Sequence, residues 1–191
     1  MSNQFLPLDV NEESMVEMKA HGEDTFPNEC CGFFYGEEKD DVRWVTIAKR
    51  IINVKEGDRR RRFEISGKDY LGAERFATQE GLTLLGIYHS HPLHPAIPSK
   101  HDLEVAMPWF SYIILSMEPS GVHHVRSWQL NESREFEEET IKHKNQKSFL
   151  NLPFKKIKER AYGTRQTLSF WHKKSDFPFF FDFDNTEKGG G

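Results

Sequence analysis

Apolar positions along the chain recur with two periods, and the changes between them mark out its elements. Val10, Met15, Val16 and Ala20 roughly follow helical spacing, and Asp9 with Glu12 reads as a capping box. That predicts a first helix from Asp9, ending before Pro27. Cys30 to Tyr35 is a strand-like run stopped at Gly36, with Glu29 at its entrance. Glu37 to Asp41 forms an acidic turn, Val42 to Val54 reads as a long strand with partial alternation, and Phe63 to Ile65 as a short one. Ser66 to Glu80 predicts a second helix, with Ser66 and Asp69 as its capping box and Gly81 as its stop. Leu82 to Tyr88 is a short apolar run bounded by Gly81 and Pro92, which suits a buried strand. Ser99 to Met107 is a short helix ended by Pro108. Trp109 to Met117 and Val122 to Leu130 pair as a hairpin across Glu118 to Gly121. Strands alternating with helices, plus one antiparallel hairpin, predict an α/β or α+β sandwich with helices on both sides.

The stretch from Leu84 to Asp102 carries the chemistry. Residues i and i+2 of a strand share a face, so His89 and His91 project together from the strand's end. Pro92 ends that strand, and Ser99 and Asp102 open the next helix. Two imidazoles and one carboxylate can hold a zinc ion and leave its fourth tetrahedral position to water, as catalytic zinc requires. His-x-His alone is a weak signal in a chain with nine histidines; Ser99 and Asp102 at their fixed offsets make it specific. Ser99-x-x-Asp102 also reads as a helix capping box, which would mount the carboxylate rigidly.

The pattern His89-x-His91, seven residues, then Ser99-x-x-Asp102 resembles the JAMM motif of the MPN+ zinc metalloproteases, a deubiquitinase-like family. Upstream, Phe26-Pro27-Asn28-Glu29-Cys30-Cys31-Gly32 resembles the prokaryotic, JAB-type form. The likeness runs from about Asp9 to Glu139 and takes in Asn53, Arg62-Phe63 and the strand ending in Trp128. It implies the MPN/JAB fold, a curved mixed β-sheet flanked by helices and similar to cytidine deaminases. It implies one Zn²⁺ on His89, His91 and Asp102, with Glu29 as general base and then general acid and Ser99 as a donor to the oxyanion. The implied reaction is hydrolysis of a peptide or isopeptide bond after the C-terminal glycine of a ubiquitin-like or sulfur-carrier protein with a Gly-Gly tail. Deaminase chemistry itself is excluded, since no H-x-E is followed by P-C-x-x-C. A non-catalytic MPN interaction scaffold generally lacks the ligands, whereas all five positions are filled here. A RadC-like, DNA-associated relative usually has Pro-Ser-Gly after the second histidine, where this chain has Pro92-Leu93-His94.

Composition bounds the setting. The 191 residues make one domain with an appendage: a catalytic domain over residues 1–140 and a connector with an aromatic-rich extension over 141–191. A net charge of −4 argues against general nucleic-acid binding. No apolar run approaches membrane-spanning length, and MSNQFLPLD does not read as a secretion signal. The adjacent Cys30 and Cys31 suit a reducing cytoplasm and are read as small packing residues. Residues 55–62, KEGDRRRR, read as a solvated connection or as a nucleic-acid contact; the resemblance, in whose family this connection flanks the substrate groove, implies a third reading, a contact for an acidic patch on a protein substrate. His94 is expected at the rim of the groove, with His101, His123 and His124 outside the metal set. The extension holds Phe177-Pro178-Phe179-Phe180-Phe181-Asp182-Phe183, which must be covered by the core, by a second copy in a homodimer, or by a partner. The terminal Gly189-Gly190-Gly191 reads as a frayed end, a cloning remnant or a mimic of the product tail.

Overall fold

The computed structural model of this chain describes residues 5–142. The aromatic-rich extension, the homodimer expected through it and the glycine tail lie outside those residues. The described strands are β1 (Leu8–Val10), β2 (Cys31–Lys39), β3 (Val42–Ile51), β4 (Thr83–Pro92), β5 (Ser111–Glu118), β6 (Gly121–Leu130), β7 (Phe136–Glu139) and β8 (Ile141–Lys142). The helices are α1 (Glu12–Thr25), α2 (Gly67–Glu80) and α3 (Lys100–Val105). The strands form one mixed sheet in the order β7-β6-β5-β4-β2-β3-β1-β8. Pairings are parallel at β4–β5, β1–β3 and β1–β8 and antiparallel elsewhere.

The sheet is curved. β7 and β8 stand at opposite ends of the strand order, yet only Thr140 separates them in the chain. One residue spans at most about 3.6 Å, so the sheet must curl until its two edges meet. The Leu8 N–H donates to the Thr140 carbonyl across that seam at 2.9 Å. Glu139 lies buried there, accepting from Ser127 Oγ and Gln129 Nε2. Burial raises its pKa, partly opposed by those bonds and by the nearby Arg43.

Strand alternation divides the core into two apolar clusters. One holds Cys31, Phe33, Tyr35, Ile87, Tyr112 and Ile114, packed with Ala73 and Ala77 of α2. The other holds Cys30, Phe34, Leu85, Tyr88, Ile113 and Leu115, packed with Met15 and Met18 of α1. The two cysteines therefore point into opposite layers; both are free, and burial raises both thiol pKa values. Gly32 lies between them, where an added Cβ would run into the Tyr88 ring and the Lys49 carbonyl. Among the described residues, no helix is long and apolar enough to cross a membrane.

The structure moves several boundaries. The first helix is capped by Asn11, whose Oδ1 accepts from the Ser14 N–H at 2.8 Å, not by Asp9. Asp9 belongs instead to β1, paired in parallel with Trp44 of β3. β2 does not stop at Gly36 but continues to Lys39 through a register shift at Tyr35/Gly36. β3 ends at Ile51, short of Val54. Phe63 to Ile65 is not a strand: the Glu64 N–H donates to the Asn53 side chain rather than to a ladder. α2 matches expectation, with Ser66 at its N-cap and Gly81 in the left-handed conformation at its end.

Candidate metal centre

β4 runs through both histidines before Pro92 ends it. His89 and His91 share the face of Ile87, while Ser90 turns to the other side, where its Oγ accepts from the Cys30 N–H at 2.9 Å. The loop after Pro92 starts with Leu93 at positive φ and brings the chain back to Ser99. There α3 opens with a complete capping box. Ser99 Oγ accepts from the Asp102 N–H at 3.2 Å, and Asp102 Oδ2 accepts from the Ser99 N–H at 2.6 Å.

These elements bring together three side chains that could hold a metal ion. The Nε2 atoms of His89 and His91 are 3.0 Å apart. Asp102 Oδ1 lies 3.4 Å from His89 Nε2, and its Oδ2 lies 3.6 Å from His91 Nε2. A tetrahedral zinc site with bonds near 2.0–2.1 Å has ligand atoms about 3.3 Å apart, so the observed spacings suit such an ion. The donor set fits as well. His91 Nδ1 faces the Pro95 carbonyl at 2.9 Å, which places a proton on Nδ1 and leaves Nε2 to face the ligand cluster. All three side chains are buried.

Electrostatics agree with this arrangement. Burial pushes the His89 pKa down to about 3. Burial acts the same way on His91, but the Asp102 carboxylate and the Pro95 carbonyl outweigh it and raise that group. Burial would raise Asp102; the two imidazoles and Ser99 hold it instead well below the usual carboxylate range. The cluster without a cation is thus a carboxylate beside an imidazole that favours its proton. His89 Nδ1 is buried with no hydrogen-bond partner among the described residues.

Glu29 reaches the same place from the neighbouring strand. Cys31 pairs with His89 in the antiparallel β2–β4 ladder, and two residues further along that register Glu29 falls opposite His91. The Glu29 side chain is buried, and burial lifts its carboxyl to about 8, with His91 opposing and Asp102 adding to the rise. Glu29, His91, His94 and Ser99 line one cleft of about 420 Å³, together with Arg61, Pro95 and Ile97. All five residues singled out in the sequence therefore converge, and His94 stands at the rim. His101 faces Glu104 at 3.6 Å, and His123 and His124 are exposed on β6. A larger cavity of about 660 Å³, lined by Arg43, Trp109 and Gln129, contains none of these groups.

Some supports were not assigned from the sequence. Phe63 stacks on His89, ring centroids 4.5 Å apart at 29°. Asn53 bridges the carbonyls of Glu29 and Arg62 at 3.0 and 3.1 Å. The Pro95 carbonyl orients His91, and no side-chain pattern could have announced it.

A curved mixed sheet carrying a His-His-Asp cluster beside a buried glutamate defines a JAB-type α+β domain. The sequence model of the family described as prokaryotic homologs of the JAB domain matches residues 11–131, and the chain belongs to that family. A desampylase of Pyrococcus furiosus is 34% identical over 113 residues, 59% of this chain and 74% of that protein. A probable TtuB-protein conjugate cleaving protease of Thermus thermophilus is 42% identical over 65 residues, 34% of this chain and 40% of that protein. The solution structure of a Desulfitobacterium hafniense protein superposes with a TM-score of 0.64 at 31% identity, covering 73% of this chain and 94% of that one.

Proposed function

We propose that this chain is a zinc metallopeptidase that hydrolyses the peptide or isopeptide bond following the C-terminal glycine of a ubiquitin-like or sulfur-carrier protein. The observation that carries the reading is a buried His89-His91-Asp102 cluster that meets, through His91, a cleft lined by a buried glutamate and a serine. The conjugate-cleaving activity in the name of the Thermus relative, and the desampylase name of the Pyrococcus one, support the substrate class. His89, His91 and Asp102 would hold the ion. When bound, Zn²⁺ supplies Lewis acidity that polarises the scissile carbonyl and lowers the pKa of a coordinated water toward about 7.

The chain's own residues do the rest. Glu29 accepts a proton from the attacking water and passes it to the leaving amine, work that needs a carboxyl near the operating pH. Its raised pKa, about 8, brings it into that range. Ser99 Oγ accepts from the Asp102 amide, so its own hydrogen is available to the carbonyl oxygen as charge develops there. Pro95 and Ile97 help wall the cleft that would receive the tail of glycines. We place the chain in the cytoplasm, where the thiols of Cys30 and Cys31 stay reduced.

The test is cleavage of a linear fusion in which a ubiquitin-like protein ending in Gly-Gly precedes a reporter. Zinc-loaded protein is expected to cut after the last glycine, and chelated protein or the Glu29→Gln form to leave the fusion intact. Cleavage by Glu29→Gln at the wild-type rate would remove Glu29 as the base and the reading with it.

A further inference from the structure

We propose that the loop carrying Arg59 to Arg62 is a docking lip for an acidic face on the protein whose tail enters the cleft. This rests on the hydrolase reading above and narrows its substrate class.

Four successive arginines stand out in a chain of net charge −4. All four are exposed, and among the described residues none of their guanidinium groups is ion-paired with a carboxylate. Acids are at hand in the same loop, but Asp58 is turned to the backbone, where it accepts from the Arg60 N–H at 3.1 Å. Among the described residues, Arg59 alone of the four has its guanidinium engaged, its Nε donating to the Lys55 carbonyl at 2.7 Å. Like charges held side by side repel, so a purely structural loop would be expected to pair them.

The loop is also fixed relative to the site. The Glu29 N–H donates to the Arg59 carbonyl at 2.7 Å. Asn53 Nδ2 donates to both the Arg62 and the Glu29 carbonyls, while its Oδ1 accepts from the amides of Lys55 and Glu64. Both ends of the arginine run are therefore tied to the backbone of Glu29, directly or through one side chain. Arg61 lines the cleft with Glu29, His91 and Ser99. The cationic charge thus sits at the lip of the cleft and stays there.

A carboxylate-bearing protein fits this lip better than a nucleic acid does. The run is one short loop rather than a basic stripe, and it stands in a chain whose net charge is −4. A protein needs acidic residues only beside its tail, where arginines can grip carboxylates in bidentate pairs. Rim charges of this kind act mainly on association and on its salt dependence.

The experiment uses two Gly-Gly-tailed ubiquitin-like fusions, one with an Asp/Glu cluster beside the tail and one with those residues changed to Asn and Gln. Wild type and the Arg60→Gln, Arg61→Gln double variant are compared as full-length, zinc-loaded protein with matched thermal melting. On the acidic fusion at low salt the double variant is expected to lose about tenfold in kcat/KM, mostly through KM, and the gap to close near 1 M salt, where the screening length is about 3 Å. On the neutralised fusion the double variant is expected to lose several-fold less than on the acidic one. Equal loss on both fusions, or loss on neither, overturns the lip. Binding of the acidic fusion to the Glu29→Gln form, with and without the two arginine changes, is read by fluorescence anisotropy. Arginine-dependent binding with no cleavage by wild type sinks the hydrolase reading but keeps the lip; cleavage with arginine-independent binding does the reverse. A labelled DNA duplex that binds through Arg60 and Arg61, where the acidic fusion does not, also overturns the lip.

Discussion

The Nε2 atoms of His89 and His91 lie 3.0 Å apart in a buried site, closer than two bare lone pairs tolerate. Something positive must stand between them, and without a metal ion it is a proton. His91, whose pKa is raised, favours that proton, and His89, pushed down to about 3, does not. A metal ion must displace it. Zinc affinity, measured by competition with a chromophoric chelator, is therefore expected to fall as pH drops through a value above 6.5. An affinity that does not change between about pH 6 and 8 would contradict this.

Under the proposed mechanism Glu29 sets the acid side of the rate profile. A general base must be ionised, so kcat/KM rises with pH through the carboxyl's pKa. Burial has moved that pKa from 4.5 to about 8, and a bound cation pulls it part of the way back. The acid limb is expected between those two values, and Glu29→Gln should lose it along with about 10²–10⁴-fold in rate. Stability of the metal-free protein runs the other way. The folded carboxyl binds its proton more tightly than the unfolded one, so stability declines as pH rises from 4.5 to 8. Thermal melting across that range should show a smaller decline for Glu29→Gln.

Phe63 holds the His89 ring flat against its own. Phe63→Leu keeps most of the apolar volume, so it is expected to cost less than about 1.5 kcal/mol in unfolding. It should still weaken zinc binding by about tenfold, the usual effect of losing a group that orients a ligand. Denaturant unfolding and zinc titration of the same variant separate the two effects; equal losses would make Phe63 a packing residue only.

Ser99 caps α3, and under the proposed mechanism it also donates to the oxyanion. Ser99→Ala removes a cap worth about 1 kcal/mol, while the Ser99 amide still donates to Asp102. Zinc content is expected to hold and kcat to fall about 10²–10³-fold. A kcat within about twofold of wild type would leave Ser99 as a cap alone.

Local rules carried much of the site. His89 and His91 share a face because strands repeat every two residues, and Ser99 with Asp102 form the capping box their spacing announces. Local rules also misled. Asp9 has the right chemistry for an N-cap, but the parallel ladder with β3 claims Leu8 to Val10 and passes the cap to Asn11. Phe63 to Ile65 has strand composition, but Asn53 takes the Glu64 amide and Phe63 goes to the imidazole instead.

The chain's order of residues determined the pairing of His89 with His91, the cap beneath Asp102 and the apolar faces of the main strands, because those depend on neighbours within a few positions. Only the tertiary structure decided that Glu29 meets His91, that Pro95 orients His91, and that the arginine run is tied to the backbone of Glu29. Those contacts follow from the β2–β4 register, the loop after Pro92 and the path between β3 and α2. The last two are made through hydrogen bonds to backbone carbonyls, and backbone atoms carry no residue-specific mark in a sequence.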